Sequence, residues 1–368
     1  MQTLIGIVIP LCLLLLAAAA VWFTGTRLIS LLRVRNKRQF RLLFSGLYVL
    51  SLAGLITGDK SADNVTGLFY WLSGVLWFFL LYLALAFIAE RLIRIILNVP
   101  SAWSGSLALA VAVGITAYGM HNARSFVISE TQIPLANLSH PITVMHISDV
   151  HLGHHRGRDY LKKIVQSSNS RHPDLIIISG DLLDAAVALD ASVLEPLKDF
   201  AAPVYYTGGN HEKYVNEQLS EVLISATGVR VLRNETVMTR GIQLTGLRYM
   251  KADDETLDLH PSDDKDTIKS VLKNISIDTG LPAVFVHHSP VGVKYMSDKG
   301  VSLVLSGHTH GGQVFPGTLL APFFFAFNRG LEHYGNTQVF VSQGAGTYLA
   351  PLRLGSRNEI NLIRLVPR

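Results

Sequence analysis

The chain has 368 residues, 49% hydrophobic and only 16% charged, and the apolar excess lies almost wholly before residue 121, which divides it into a membrane section and a water-facing domain of ordinary size. The formal net charge is +5, but Arg27, Arg33, Arg35, Lys37, Arg38 and Arg41 place six positive charges in one short segment without an acid. The remainder sums to about −1 and offers no basic surface for nucleic acid. The single cysteine, Cys12, excludes a disulfide framework and a thiolate metal cluster.

Residues 3–24 form an uncharged run long enough to cross a bilayer, which takes roughly 20 apolar residues as a helix. A cleaved signal peptide is the competing reading, but the basic cluster follows the run instead of preceding it, which favours a retained anchor. Residues 42–58, 67–89 and 102–120 read as three further spans, the last rich in Gly and Ala that permit close helix packing. Between them, residues 90–99 with Arg91 and Arg94 suggest an amphipathic extension lying at the interface and stopped by Pro100. The first loop carries six Lys/Arg, the second only Lys60 and the third Arg91 and Arg94. By the positive-inside rule the first and third loops are cytoplasmic, so both termini face outward. The expectation is a multi-pass membrane protein: a transmembrane region over 1–120, a polar linker over 121–141, and an extracytoplasmic domain over 142–368.

From residue 142 onward β-branched runs alternate with helical stretches, the pattern of an α/β domain. Strands are expected at 142–148, 174–179, 203–207, 283–286 and 301–305, helices at 159–167 and around 192–200, short antiparallel strands across 229–247, and an exposed acidic loop over 253–266. Each of the five apolar strands leads at once into donor residues. These are Asp149-Val150-His151, Gly180-Asp181-Leu182-Leu183-Asp184, Gly209-Asn210-His211-Glu212, His287-His288-Ser289-Pro290 and Gly307-His308-Thr309-His310. In α/β sheets the carboxyl ends of strands are where sites assemble. Carboxylates, imidazoles and one amide, without sulfur, suit divalent Mn, Fe or Zn, and the set exceeds what one ion needs. Two cations roughly 4 Å apart clamp a phosphate ester and acidify a water between them.

Taken in order, these five motifs resemble the calcineurin-like metallophosphoesterase family across roughly residues 140–368. Gly307 to Pro316 and the ending from Ser342 through Gly355 are similar to its bacterial membrane-associated YkuE/YaeI-like branch. The resemblance implies a four-layer sandwich, two β-sheets flanked by helices, and a two-metal phosphoesterase. It implies that Asp149, His151 and His310 hold one metal, that Asn210, His288 and His308 hold the other, and that Asp181 bridges them. His211 would be the general acid for a metal-hydroxide attack, Glu212 its orienting group, and Asp184 a support to a ligand or turn. His-x-Pro spacing selects His288 over His287, and His146 reads as a core residue. Arg353 is open between a phosphate clamp and a surface or salt-bridged arginine, and His154 and His155 between phosphate contacts and a solvated pair.

The substrate expected is a phosphate ester or pyrophosphate; the spans and the apolar stretch 319–327, either core or a wall for lipid chains, motivate a lipid-linked one. Alternatives are a UDP-acylated-sugar pyrophosphatase of lipid A synthesis, known among relatives, and a non-catalytic phosphate-binding or sensory module. The partners expected are the lipid bilayer and this substrate, with no sequence feature pointing to nucleic acid or a protein partner.

Overall fold

A computed structural model of the chain describes residues 2–97, 100–256, 262 and 264–368. It divides into two units: one holds residues up to Gly58, Asn64–His121 and the tetrapeptide Leu349–Leu352, the other Asp59–Asp63, Asn122–Tyr348 and Arg353–Arg368.

The first unit is built on four helices, α1 (Gln2–Leu31), α2 (Lys37–Thr57), α3 (Asn64–Ile96) and α4 (Ser101–Asn122), each long and apolar enough to cross a membrane. Asn36 starts α2 by accepting the Gln39 N–H, satisfying one of the amides a helix start leaves open. Gly54 lets α2 and α3 approach, since a Cβ there would lie 2.4 Å from Ser73 Oγ. Residues 90–99 differ from the surface extension expected of them: α3 runs unbroken through Glu90 to Ile96, and residues 98–99 lie outside the described residues. The buried Glu90 carboxylate accepts from Arg27 Nη2 at 2.7 Å and Ser104 Oγ at 2.6 Å. Its charge is matched inside the bundle, so the helix has no need to turn out to water.

The second unit carries two six-stranded sheets. The strands are β1 (Phe126–Leu135), β2 (Ile142–Ile147), β3 (Leu175–Ser179), β4 (Val204–Thr207), β5 (Arg230–Val231), β6 (Glu235–Thr239), β7 (Ile242–Gly246), β8 (Ala283–Val286), β9 (Leu303–Ser306), β10 (Gly330–Tyr334), β11 (Thr337–Val341) and β12 (Asn358–Pro367). Their orders are β1-β12-β2-β3-β4-β5 and β10-β11-β9-β8-β7-β6.

Alternation along each strand sorts side chains to two faces and thereby sets the layers. On β3, Ile176 and Ile178 face Leu161, Ile164 and Val165 of the helix Arg158–Asn169, while Leu175 and Ile177 pack with Leu244, Val284 and Leu305 of the other sheet. On β8, Val284 and Val286 face inward and Phe285 packs outward with Met296 and Leu272. Helix, sheet, sheet and helix are therefore stacked, and the strands read as continuous apolar runs because both faces are covered.

Residues 121–141, expected as a linker, instead contain β1, paired in parallel with β12 from Phe126↔Asn358 to Leu135↔Pro367. It is an edge strand whose middle, Ser129 to Gln132, is polar and half-exposed, so no apolar run marks it; only Ile133 and Leu135 are fully buried. Within 229–247, β6 and β7 pair antiparallel, whereas β5 joins β4 in parallel in the other sheet. The acidic loop is not wholly exposed. Asp253 is buried and accepts from the Glu255 and Thr256 amides and from Tyr295 Oη, while residues 257–261 and 263 lie outside the described residues.

Candidate metal centre

The chain leaves parallel strands at their carboxyl ends, so the loops after β2, β3 and β4 of one sheet and after β8 and β9 of the other each deliver donors. Five of the seven expected ligands hold left-handed backbone: φ is 52° at Asp149, 51° at His151, 51° at Asp181, 70° at His308 and 51° at His310. Such residues cost on the order of 1–3 kcal/mol each and cluster where function requires them. The neighbouring glycines have a spatial reason. A Cβ at Gly307 would lie 2.1 Å from Asp149 Oδ2, and one at Gly209 would lie 2.1 Å from Asp181 Oδ1.

The turns bring the side chains together. His151 Nε2 lies 3.0 Å from His310 Nε2, which lies 3.4 Å from Asp149 Oδ1. His288 Nε2 lies 3.0 Å from Asp181 Oδ2 and 3.2 Å from His308 Nδ1. The two groups adjoin through their carboxylates, with His151 Nε2 at 3.8 Å from Asp181 and His288 Nε2 at 3.9 Å from Asp149. Among the described residues, Asp149–His151–His310 and Asp181–His288–His308 are each sets whose ligand atoms lie within 4.8 Å of one another, compact enough to hold a cation. Asn210, the first residue of the helix Asn210–Val215 after β4, is buried, and its Oδ1 has no hydrogen-bond partner among the described residues. A buried amide oxygen left bare is costly, and a cation is one of the few groups that would satisfy it.

His151, Asp184 and His211 form a third set with a different purpose. Asp184 Oδ1 lies 3.0 Å from Nδ1 of both His151 and His211. Accepting both Nδ1 protons leaves the Nε2 of His151 as a lone pair, the form a metal binds. It also turns the Nε2 of His211 toward Asp181, 4.0 Å away. Burial pulls the His211 pKa down, but Asp181 and Asp184 outweigh it and raise the group to about 9. By the same balance Asp181 and Asp149 raise His288 to about 10 against burial, whereas burial, with His151 and Arg353 adjacent, keeps His310 neutral. The carboxylates thus make a field that retains positive charge.

Other expectations need correction. Glu212 does not orient His211: its carboxylate accepts the N–H groups of Gly209 at 2.7 Å, Leu183 at 2.9 Å and Asp181 at 3.0 Å. Near the start of helix Asn210–Val215 its chain folds back over the open amides, and glutamate is long enough to reach the β3 loop as well. The carboxylate on His211 is Asp184. Arg353 is neither a phosphate clamp nor a surface or salt-bridged residue. It is fully buried and donates to the carbonyls of His310, Gln343 and Gly346 and to Asn358 Oδ1. His154 and His155 sit partly exposed in the turn after His151.

His146 is buried with Nε2 2.7 Å from Ser179 Oγ, and burial lowers it to about 3. His287 stacks on Tyr249 and bonds the Ser289 carbonyl, away from the two donor sets. Aromatic rings that no motif announced stand around the centre. Tyr348 and Tyr214 lie 4.9 and 5.4 Å from the His211 ring, and Phe325 lies 5.8 Å from that of His308. Only Tyr214 left a sequence signal, three residues after His211 on one helix.

The family model for calcineurin-like phosphoesterases matches residues 142–312, which contain all the donors above. A Helicobacter pylori (strain J99) metallophosphoesterase is 33% identical over 245 residues, covering 66% of this chain and 64% of that protein. A Danio rerio transmembrane protein with a metallophosphoesterase domain is 32% identical over 279 residues, covering 70% of this chain and 62% of its own length. The match thus spans less than two thirds of either relative. An Aquifex aeolicus metallophosphoesterase is 30% identical over 229 residues, 61% of this chain and 85% of that one. Strand-end carboxylates and imidazoles on a four-layer sandwich agree with all of these, and with its four apolar helices the chain belongs, as a membrane protein, to the calcineurin-like metallophosphoesterase family of metal-dependent phosphoester hydrolases.

Proposed function

We propose that this chain hydrolyses a phosphate ester or pyrophosphate carried on a lipid, at the extracytoplasmic face of a membrane. The observation that carries the hydrolytic part is the pairing of Asp149–His151–His310 with Asp181–His288–His308 at the carboxyl ends of strands from both sheets. Asp149, His151 and His310 would hold one divalent Mn, Fe or Zn ion, Asn210, His288 and His308 a second, and Asp181 would lie between them. Two such cations supply charge that binds phosphate oxygens and brings water's pKa within reach of neutrality.

The rest is done by the chain. His211, kept protonated by the Asp184 carboxylate at its Nδ1, gives its Nε2 proton to the departing oxygen, and Asp184 fixes the ring so that this nitrogen faces inward. Glu212 holds the Gly209, Leu183 and Asp181 backbone, and so keeps Asp181 and His211 in register. Four apolar helices on the same chain support a lipid-borne substrate, and six Lys/Arg in the first loop against one in the second support the outward orientation.

The test is hydrolysis of an aryl phosphodiester, an aryl monoester and a lipid phosphoester by the purified full chain with Mn, Fe, Zn or no metal, beside Asp181→Ala and His211→Ala. Metal-dependent turnover lost in Asp181→Ala is expected, with the lipid ester preferred. Equal turnover of soluble and lipid esters would remove the lipid assignment, and cysteines introduced after Met120 that are labelled only from the cytoplasm would overturn the orientation.

A further inference from the structure

The segment after the last histidine motif carries no charge from Gly311 to Asn328 and forms the helix Gly317–Phe324. Within the full chain Phe323 is 83% exposed and Leu319 62%, and Phe315, Leu320 and Phe324 are exposed as well. Five large apolar side chains thus face outward within ten residues. Exposed apolar residues scattered singly are ordinary, but a contiguous group marks a contact surface. Its small buried side is Ala321.

The helix is also tied to the centre at both ends. Before it, Gln313 exchanges hydrogen bonds with Tyr348, donating to its carbonyl at 2.8 Å and accepting its N–H at 2.9 Å; the Tyr348 ring lies against His211. After it, Phe325 lies edge-on to His308. The helix therefore joins a segment held against the proposed proton donor's ring neighbour to one that touches a proposed metal ligand.

We infer that helix Gly317–Phe324 seats its exposed face among the acyl chains of a lipid leaflet and so brings a membrane-borne phosphoester directly to the His211–His308 edge of the centre. The occupant is lipid for three reasons. The surface is uncharged, branched and aromatic, as acyl chains require. Exposed Arg329 follows it and suits headgroup phosphate. The four helices, each long and apolar enough to cross a membrane, would anchor this chain to a bilayer. The membrane seating stands on these observations alone, whereas substrate delivery rests on the lipid-phosphoester reading above.

The experiment uses the full chain with Cys12→Ser, reconstituted in phosphatidylcholine–phosphatidylglycerol vesicles. A nitroxide is placed at Phe323→Cys or, as an aqueous reference, at Lys162→Cys on the helix Arg158–Asn169. Expected is a Phe323 label relaxed by oxygen and shielded from a nickel chelate, with the reverse at Lys162. A Phe323 label as open to nickel as that at Lys162, or shielded from both reagents as under a protein partner or a second copy, would overturn the seating. In parallel, Leu319→Asp with Phe323→Asp is expected to lower hydrolysis of a vesicle-borne phosphoester about tenfold or more while leaving a soluble aryl ester at the wild-type rate. Equal rates on vesicles would overturn the delivery role. Seating with no turnover of any vesicle ester by the wild-type chain would uphold the membrane contact and sink the lipid-substrate reading instead.

Discussion

Asp184→Asn tests the part of the site that the motifs alone left ambiguous. The aspartate accepts from His151 Nδ1 and His211 Nδ1, both at 3.0 Å, so one carboxylate orients an expected metal ligand and the expected acid together. A hydrogen bond to a charged group is worth about 1.5–3 kcal/mol and roughly twice a neutral one. Asparagine keeps the shape and one acceptor oxygen but loses the charge, so each imidazole forfeits about 1–1.5 kcal/mol. For His151 that is about a tenfold weaker metal, the low end of the 10–100-fold seen when such supports are removed.

For His211 the effect is on protonation. Burial pulls its pKa down while the Asp184 carboxylate on its Nδ1 holds it up; without that charge the pKa falls, and the alkaline limb of the rate profile moves to lower pH. The assay is a metal titration of the purified chain, then rate against pH at saturating metal for an aryl and an alkyl phosphodiester. The alkyl ester, whose leaving oxygen needs the proton, should lose more rate. Unchanged metal affinity together with an unmoved alkaline limb would refute the reasoning.

Three more outcomes follow from buried groups elsewhere. Arg353→Met strands the carbonyls of His310, Gln343 and Gly346 at about 1–3 kcal/mol each, so melting should fall sharply; a raised KM with normal melting would restore the phosphate clamp. Burial lowers His146 to about 3, so between there and its unfolded value near 6.5 the unfolded chain holds the extra proton and stability is lost as pH falls. That amounts to about 2 kcal/mol on descending from about pH 6.5 to about pH 5, and His146→Gln should remove this part of the acid sensitivity, read from melts at both values. Glu90→Ala leaves Arg27 unpaired in the helical unit at a cost of about 3–5 kcal/mol, which Arg27→Met should partly restore; a single variant as stable as wild type in detergent would show the pair is idle.

What could be read from sequence and what could not divide along physical lines. The five donor-bearing strands are covered on both faces, so each shows as a short apolar run, and a donor cluster directly after such a run lies at a strand's carboxyl end. β1 escaped because it is a polar edge strand whose partner, β12, lies more than two hundred residues away, and register at an edge leaves little trace in composition. The roles of Asp184 and Glu212 escaped for another reason. Both are carboxylates in adjoining loops, and only the reach of each side chain decides which meets the imidazoles and which the backbone amides.

His287 and His288 were separable in principle. His287 shares the parity of Phe285, which packs toward the outer helices, whereas His288 continues the parity of Val284 and Val286 on the face between the sheets. The left-handed turns join the two levels of description. Aspartate and histidine tolerate positive φ better than β-branched or bulky apolar side chains, and they are also the chemistry a divalent cation requires. As metal ligands, positions such as Asp149, Asp181 and His310 would be constrained twice, by the tight exit from a buried strand and by the donor atom that the exit must present, which is why short motifs are enough to point to the candidate site.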